Sequence, residues 1–349
     1  MAAPDPSLVP TTTISPDPAQ VPTPVLEAPA PVNTVEIAPR SSAPSGGSDN
    51  KPTDTLTAPS TAATAAGSSS VQPPQDELQS SLTKKFTADE WKALVEFRNE
   101  LPSIFSSAFP DIEKAKAEIT PITIWGVSVD PVNPRQDPRV SVILMKFLRA
   151  RNLSIREAGA MLINTLRWRA SFNIEAALKE EFPQEVFGNL GHLFGRDKGK
   201  RPVVYNVYGG NQDLKAVFGD VDRFIRWRIA LMERSVDQLD FLEVDQTVQI
   251  HDYEGVSLTS RDANSKAAAA EATNIFQSHY PELLYKKIFI NVPTILNWIF
   301  WAFKPLISAN TLAKMSVVGT SHHSIKKALS ELIDISELPT RYGGEANAF

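Results

Sequence analysis

Four short runs rich in β-branched and aromatic residues constrain this chain most: Val203 to Tyr208, Thr247 to Tyr253, Lys287 to Val292 and Met315 to Gly319. The segments between them are long enough for helical crossovers. Strand–helix–strand units with a mainly parallel sheet are therefore the natural solution. Successive strand residues point to opposite faces. In Thr247 to Tyr253 one face carries Val248 and Ile250, the other Gln249, His251 and Tyr253. In Lys287 to Val292 the split is Ile288, Ile290 and Val292 against Lys287, Phe289 and Asn291. A parallel sheet covered on both sides is normally apolar on both. The half-polar face suits the floor of a ligand cavity, and exposure to solvent would give the same pattern.

The stretch from about 220 to 241 reads as a helix with a core stripe of Phe224, Ile225, Ile229, Met232, Val236 and Leu239. At 100° per residue Arg228 falls within that stripe, whereas Arg223 and Arg226 project elsewhere. A guanidinium among apolar neighbours needs an anion, from an internal carboxylate or from a ligand.

Ahead of the sheet, residues 82–180 read as a helical subdomain. Thr87 and Glu90 form a capping box before Trp91, Leu94, Val95 and Phe97. Loops containing proline run through Asp137-Pro138. Helices are then expected from Val140 to Ala150 and, capped by Ser154, through Met161, Leu162, Leu166 and Trp168. Residues 1–80 differ in kind. Fifteen of the 27 prolines lie in the first 74 positions, among Ala, Ser and Thr. Such a segment cannot bury enough apolar surface to offset its ordering entropy, so a disordered tail is expected. It carries a net charge of −6 of the chain's −5, leaving +1 for residues 81–349. A near-neutral folded part offers no electrostatic footprint for nucleic acid.

Cysteine is absent, which excludes disulfides, thiolate nucleophiles and cysteine-held zinc or haem. The opening Met1-Ala2-Ala3-Pro4 lacks the charged and apolar regions of a secretory signal, and the absence of cysteine suits the cytoplasmic location that is expected. The most apolar run, Ile295 to Ile307, is broken by Asn297 and Lys304 and falls short of the roughly 20 residues that span a bilayer. Its aromatic content suits a lid or interfacial helix as well as ordinary core. Gly209-Gly210 lacks the spacing of a dinucleotide site and reads as a turn.

Four motifs in order carry a resemblance: Lys146 to Arg151 with Leu166 to Arg169; His251-Asp252-Tyr253-Glu254-Gly255; Tyr280 to Lys287 with Ile290 to Pro293; and Leu338 to Gly344. Across about residues 84–345 the chain resembles the CRAL-TRIO (Sec-fourteen-like) lipid-transfer family. The resemblance implies an α/β fold, with an N-terminal helical subdomain followed, over 181–349, by a mainly parallel sheet and helices enclosing a hydrophobic cavity. It also implies phosphatidylinositol transfer without catalysis, with a lid near Ile295 to Ile307 that opens at membranes. Peripheral association with the endoplasmic reticulum or microsomal membrane would go with that role. By the family pattern Lys286 matches the residue that meets the inositol phosphate, whereas the alternation of faces puts Lys287 in the cavity.

Pro202 to Gly209, Arg226 to Glu233 and the His251-Asp252-Tyr253 triplet are similar to the fungal non-classical, haem-binding branch. That likeness implies haem b with Tyr253 as axial iron ligand, supported by Tyr208, Arg228, His251 and Lys287. Phenolate is a hard donor suited to ferric iron, and a phenol of pKa near 10 needs the metal or nearby cations to ionise. Without the resemblance, a core tyrosine beside a hydrogen-bonded histidine is the plainer reading. A peroxidase- or catalase-like haem enzyme, or a haem sensor regulating lipid signalling, are the alternatives; no distal acid–base pair supports the first. His192, His279 and His322-His323 have no metal-ligand spacing and read as surface or capping residues.

Overall fold

The computed structural model describes residues 77–209, 213–256, 263–292 and 309–349, all within one compact unit, Gly67–Phe349. The tail to residue 76, Gly210 and the apolar run Ile295 to Ile307 lie outside the described residues. The fold already includes residues 77–80: the Glu77 carboxylate is buried, accepting hydrogen bonds from Arg98 Nη1 and Nη2 and from the Ser141 hydroxyl.

The helical part comprises α1 (Ala88–Asn99), α2 (Leu101–Ala108), α3 (Lys114–Ala117), α4 (Pro138–Arg149), α5 (Ile155–Phe172), α6 (Ile174–Lys179) and α7 (Gln184–Phe187). The capping box forms: Glu90 N–H donates to Thr87, and Thr87 N–H to the Glu90 carboxylate at 2.9 Å, an arrangement worth about 1 kcal/mol. Ser154 caps α5 as expected. The stretch read as loops is more ordered than its prolines suggest. It holds α2 and a hairpin of β1 (Ile122–Ile124) and β2 (Val127–Val129). The hairpin turns on Trp125 and Gly126 with φ of 50° and 73°, the left-handed pair that a two-residue hairpin loop demands. Trp125 accepts that backbone because its indole enters the core, stacking near Phe147, Phe241 and Tyr280.

Next come β3 (Gly191–Arg196), β4 (Pro202–Val207), α8 (Leu214–Gly219), α9 (Val221–Val236), β5 (Thr247–Asp252), α10 (Ala263–His279), β6 (Leu284–Ile290), α11 (Ala309–Ala313), β7 (Met315–Val317) and α12 (His322–Ser330). The sheet order is β3-β4-β5-β6-β7, with β4 to β7 parallel and β3 antiparallel to β4. Sequence patterning did not indicate β3. Gly191-His192-Leu193-Phe194-Gly195-Arg196 has no β-branched residue, and pairing with β4 makes it a strand.

One face of the sheet, with Tyr205, Val248, Ile250, Ile288 and Ile290, packs beneath α12 and the segment carrying Leu338 and Tyr342. The opposite face meets α9, which comes so close that a Cβ on Gly191 would lie 2.5 Å from Leu231 and 2.8 Å from Trp227. Its core is continuous with that of the helical part, joining Phe97, Phe147 and Leu166 to Val204, Ile229 and Leu283. At the strands' N-terminal ends the buried Lys146 amine binds the Asp245 carboxylate at 2.6 Å and the carbonyls of Asp245 and Glu282 at 2.7 and 3.0 Å. The helical part is thereby fastened to one end of the sheet. The site described next lies toward the other.

Candidate functional site

Register brings the predicted residues together. Val204, Gln249 and Lys287 stand in one row across β4, β5 and β6; Asn206, His251 and Phe289 form the next. Tyr208 and Tyr253 extend the face past the strand ends, where Tyr208 N–H donates to Asp252 O and Tyr253 N–H to Ile290 O. All five predicted residues, Tyr208, Arg228, His251, Tyr253 and Lys287, gather on this side.

Asn291 does not. Simple alternation put it beside Phe289, but its φ of 56° breaks the strand and its amide donates to Asp252 at 2.8 Å, on the other face. Lys286 is also turned away. It is exposed and alternates with Ile288 and Ile290, so Lys287 is the β6 cation on the half-polar face.

The rings form a continuous surface. Tyr208 lies 5.4 Å from Tyr253 and 5.8 Å from His251, ring centre to ring centre; Phe289 lies 5.3 Å from His251 and 6.3 Å from Tyr253. Opposite them α9 presents Arg228. One guanidinium nitrogen, Nη2, donates to Gln249 Oε1 at 3.3 Å, and the group lies 4.9 Å over the Phe276 ring of α10. His251 Nε2 is 3.5 Å from the same Gln249 oxygen. Phe276 was not indicated by the sequence, since an Ala-rich helix gives no sign of which single aromatic meets an arginine.

The electrostatics are one-sided. Arg228 and Lys287 are in no ion pair among the described residues, and Arg228 Nη1 is buried without a hydrogen-bond partner, as is Asn206 Oδ1. Burial, then Arg228, pushes the Lys287 amine down to about 7. Burial, then Lys287 and Arg228, holds His251 well below its ordinary value, so the imidazole is neutral. Burial raises both phenols; Tyr208 also raises Tyr253, while Arg228 pulls Tyr208 back down. Tyr208, Tyr253, Lys287 and Phe289 nevertheless keep part of their surface accessible, and the three that titrate lie deep in the protein.

The remaining histidines are elsewhere. His279 stacks on Trp168 at 4.4 Å, His192 on Phe349 at 3.9 Å, and His322 and His323 open α12. Among the described residues no three acidic or histidine side chains are grouped to hold a metal ion, and no helix is long and apolar enough to cross a membrane.

Residues 187–344 match the family model described as CRAL/TRIO domain. Similar curated proteins include the phosphatidylinositol transfer protein sfh5 of Botryotinia fuckeliana, 33% identical over 281 residues, covering 76% of this chain and 60% of that protein. The sfh5 protein of Neosartorya fischeri is 33% identical over 296 residues, covering 79% and 67%. SFH5 of Cryptococcus neoformans var. neoformans is 37% identical over 245 residues, covering 64% and 80%. The chain thus spans 60% of the first of these relatives and more of the other two. The crystal structure of Sfh5 superposes with a TM-score of 0.63 at 28% identity, covering 75% of this chain and 90% of that one. The parallel sheet, the motifs in order and these matches agree: the chain belongs to the CRAL/TRIO domain family, as a homologue of the Sfh5 proteins.

Proposed function

We propose that this protein is a phosphatidylinositol-transfer-type lipid carrier whose recess also holds haem b, with the Tyr253 phenolate as iron ligand. The lipid part is supported by the names its relatives carry. One observation carries the haem part. Two phenols, an imidazole and two cations converge on one half-buried face, and no carboxylate hydrogen-bonds or pairs with either cation among the described residues. A buried cation without a partner is costly, and the free Arg228 Nη1 suits an anionic group of the occupant.

These residues fit haem b. Arg228 and Lys287 would receive its propionates or favour the phenolate. Tyr208 and Phe289 would pack against the macrocycle, and neutral His251 would orient groups around the ligand. When bound, ferric iron supplies the Lewis acidity that ionises a phenol otherwise kept protonated by burial. An exchangeable carrier needs no acid–base pair, so the role is holding and delivery rather than catalysis, in the cytoplasm and at membrane surfaces.

The deciding measurement is the absorption spectrum of the full chain titrated with hemin. A shifted Soret band with a phenolate-to-iron charge-transfer band is expected, and Tyr253→Phe abolishes the latter. Arg228→Met or Lys287→Met weakens uptake by roughly tenfold, the scale of lost supporting contacts. A chain that takes up no hemin, or a Tyr253→Phe variant with an unchanged spectrum, would overturn the haem assignment. Vesicle-to-vesicle transfer of phosphatidylinositol tests the lipid part separately.

A further inference from the structure

Asp252 stands between His251 and Tyr253 in the chain but faces the other side of the sheet. Its carboxylate is fully buried and gathers donors from three segments. Glu254 N–H donates at 2.9 Å from the turn after β5, Asn291 Nδ2 at 2.8 Å from the end of β6, and Tyr342 Oη at 2.9 Å from the C-terminal segment. Arg341 adds an ion pair at 3.5 Å. A lone buried carboxylate would be costly; this one is saturated.

Each contact bears on Tyr253. The Glu254 bond closes an Asx turn, completed by Gly255 at φ 73° and by Val256 N–H donating to Tyr253 O. Tyr253 therefore sits at the start of a turn whose first hydrogen bond Asp252 makes. The Asn291 bond fixes a residue in left-handed backbone directly after Ile290, whose carbonyl receives Tyr253 N–H. The backbone on either side of the phenol is held by one carboxylate behind the sheet. Tyr342, stacked on Tyr205 at 5.7 Å, fixes that carboxylate in turn.

We infer that Asp252 is a positioning residue: from the back of the sheet it sets the direction of the Tyr253 phenol, with Tyr342 and Arg341 as its supports. The inference rests on Tyr253 being the group that meets the occupant of the recess. Its geometry does not depend on that occupant being haem.

The test uses the full chain with 13C-labelled tyrosine rings. The six tyrosines give few resonances, and Tyr253→Phe and Tyr208→Phe assign the two in the recess by disappearance. In ligand-free Asp252→Asn and in Tyr342→Phe, which keeps the stack on Tyr205, the Tyr253 resonance moves or splits by more than its line width. Tyr280 and Tyr285 stay in place. In hemin-loaded samples the charge-transfer band shifts at unchanged hemin stoichiometry, which a general loss of structure would not produce. A Tyr253 resonance unmoved in Tyr342→Phe, with only Tyr205 responding, would overturn the inference; this variant decides alone if Asp252→Asn does not fold. Failure of the wild type to take up hemin would remove the haem assignment and leave the ligand-free comparison to decide the positioning role.

Discussion

Lys287 carries the charge that the fold constrains most directly. Its amine faces Arg228 on α9, His251 on β5 and its own neighbour Phe289, with no carboxylate in contact among the described residues. In the folded protein it gives up its proton at about 7; unfolded, it would do so near 10.4. Between these values the unfolded chain binds a proton that the folded chain does not. Stability therefore rises with pH through that window, and the penalty is complete and constant below it. Lys287→Met removes the penalty. Its stability advantage over wild type in urea denaturation should be largest at pH 7 and below and shrink as the pH approaches 10. An advantage that does not change with pH would mean the amine is not desolvated in the native state. Lys287 also shows what sequence could yield at this scale. Alternation alone chose it over Lys286, because the period of a strand is local. The partners of Asp252 were illegible, since Tyr342 lies 90 positions away and nothing local in the chain joins the two.

Between elements, the decisive contact joins three helices. Glu233 of α9 accepts two hydrogen bonds from Arg169 of α5, at 2.6 and 3.0 Å, and one from the Tyr280 hydroxyl just after α10, at 2.5 Å. Burial and the Glu233 carboxylate hold Tyr280 far above its usual range, so it remains the donor. Glu233 lies five positions beyond Arg228, so the triad ties the helix that carries this arginine to α5 and to the end of α10. Removing one member of a buried ion pair leaves the other uncompensated, at about 3 kcal/mol, whereas deleting one hydroxyl costs about 1–2 kcal/mol. Glu233→Gln should therefore lower the urea midpoint clearly more than Tyr280→Phe. The double variant should lose less than the two single losses added, because both act on one network. Strict additivity would show that the three groups act independently. Parts of this layer were legible. The α9 stripe and the faces of β5 and β6 follow from periodicity, while the hairpin of β1 and β2 and the glycine-containing β3 do not. Those strands exist through pairing, and neither carries a run of β-branched residues long enough to show a period.

For the whole molecule, the sheet separates two jobs. Its closed face, under α12 and the C-terminal segment, is solid core and fixes the strands. Its other face, toward α9, carries every polar side chain proposed to meet a ligand, and these belong to three neighbouring strands and one helix. Three strands span two gaps of about 4.8 Å, a strip about 10 Å wide. A flat macrocycle and a lipid would both have to lie on that strip and would both present an anion to Arg228 and Lys287. Two neighbouring cations, Arg228 and Lys287, cannot serve both occupants fully. The occupants should therefore exclude each other. Vesicles containing phosphatidylinositol, added to the hemin-loaded protein, should release hemin in proportion to the accessible lipid, whereas phosphatidylcholine vesicles of equal area should release less. Lys287→Met should reduce that difference, because it removes one of the two charges that reward an anion. Hemin retained unchanged while phosphatidylinositol is taken up would mean that the two ligands occupy separate sites, and the face of the sheet toward α9 would then account for only one of them.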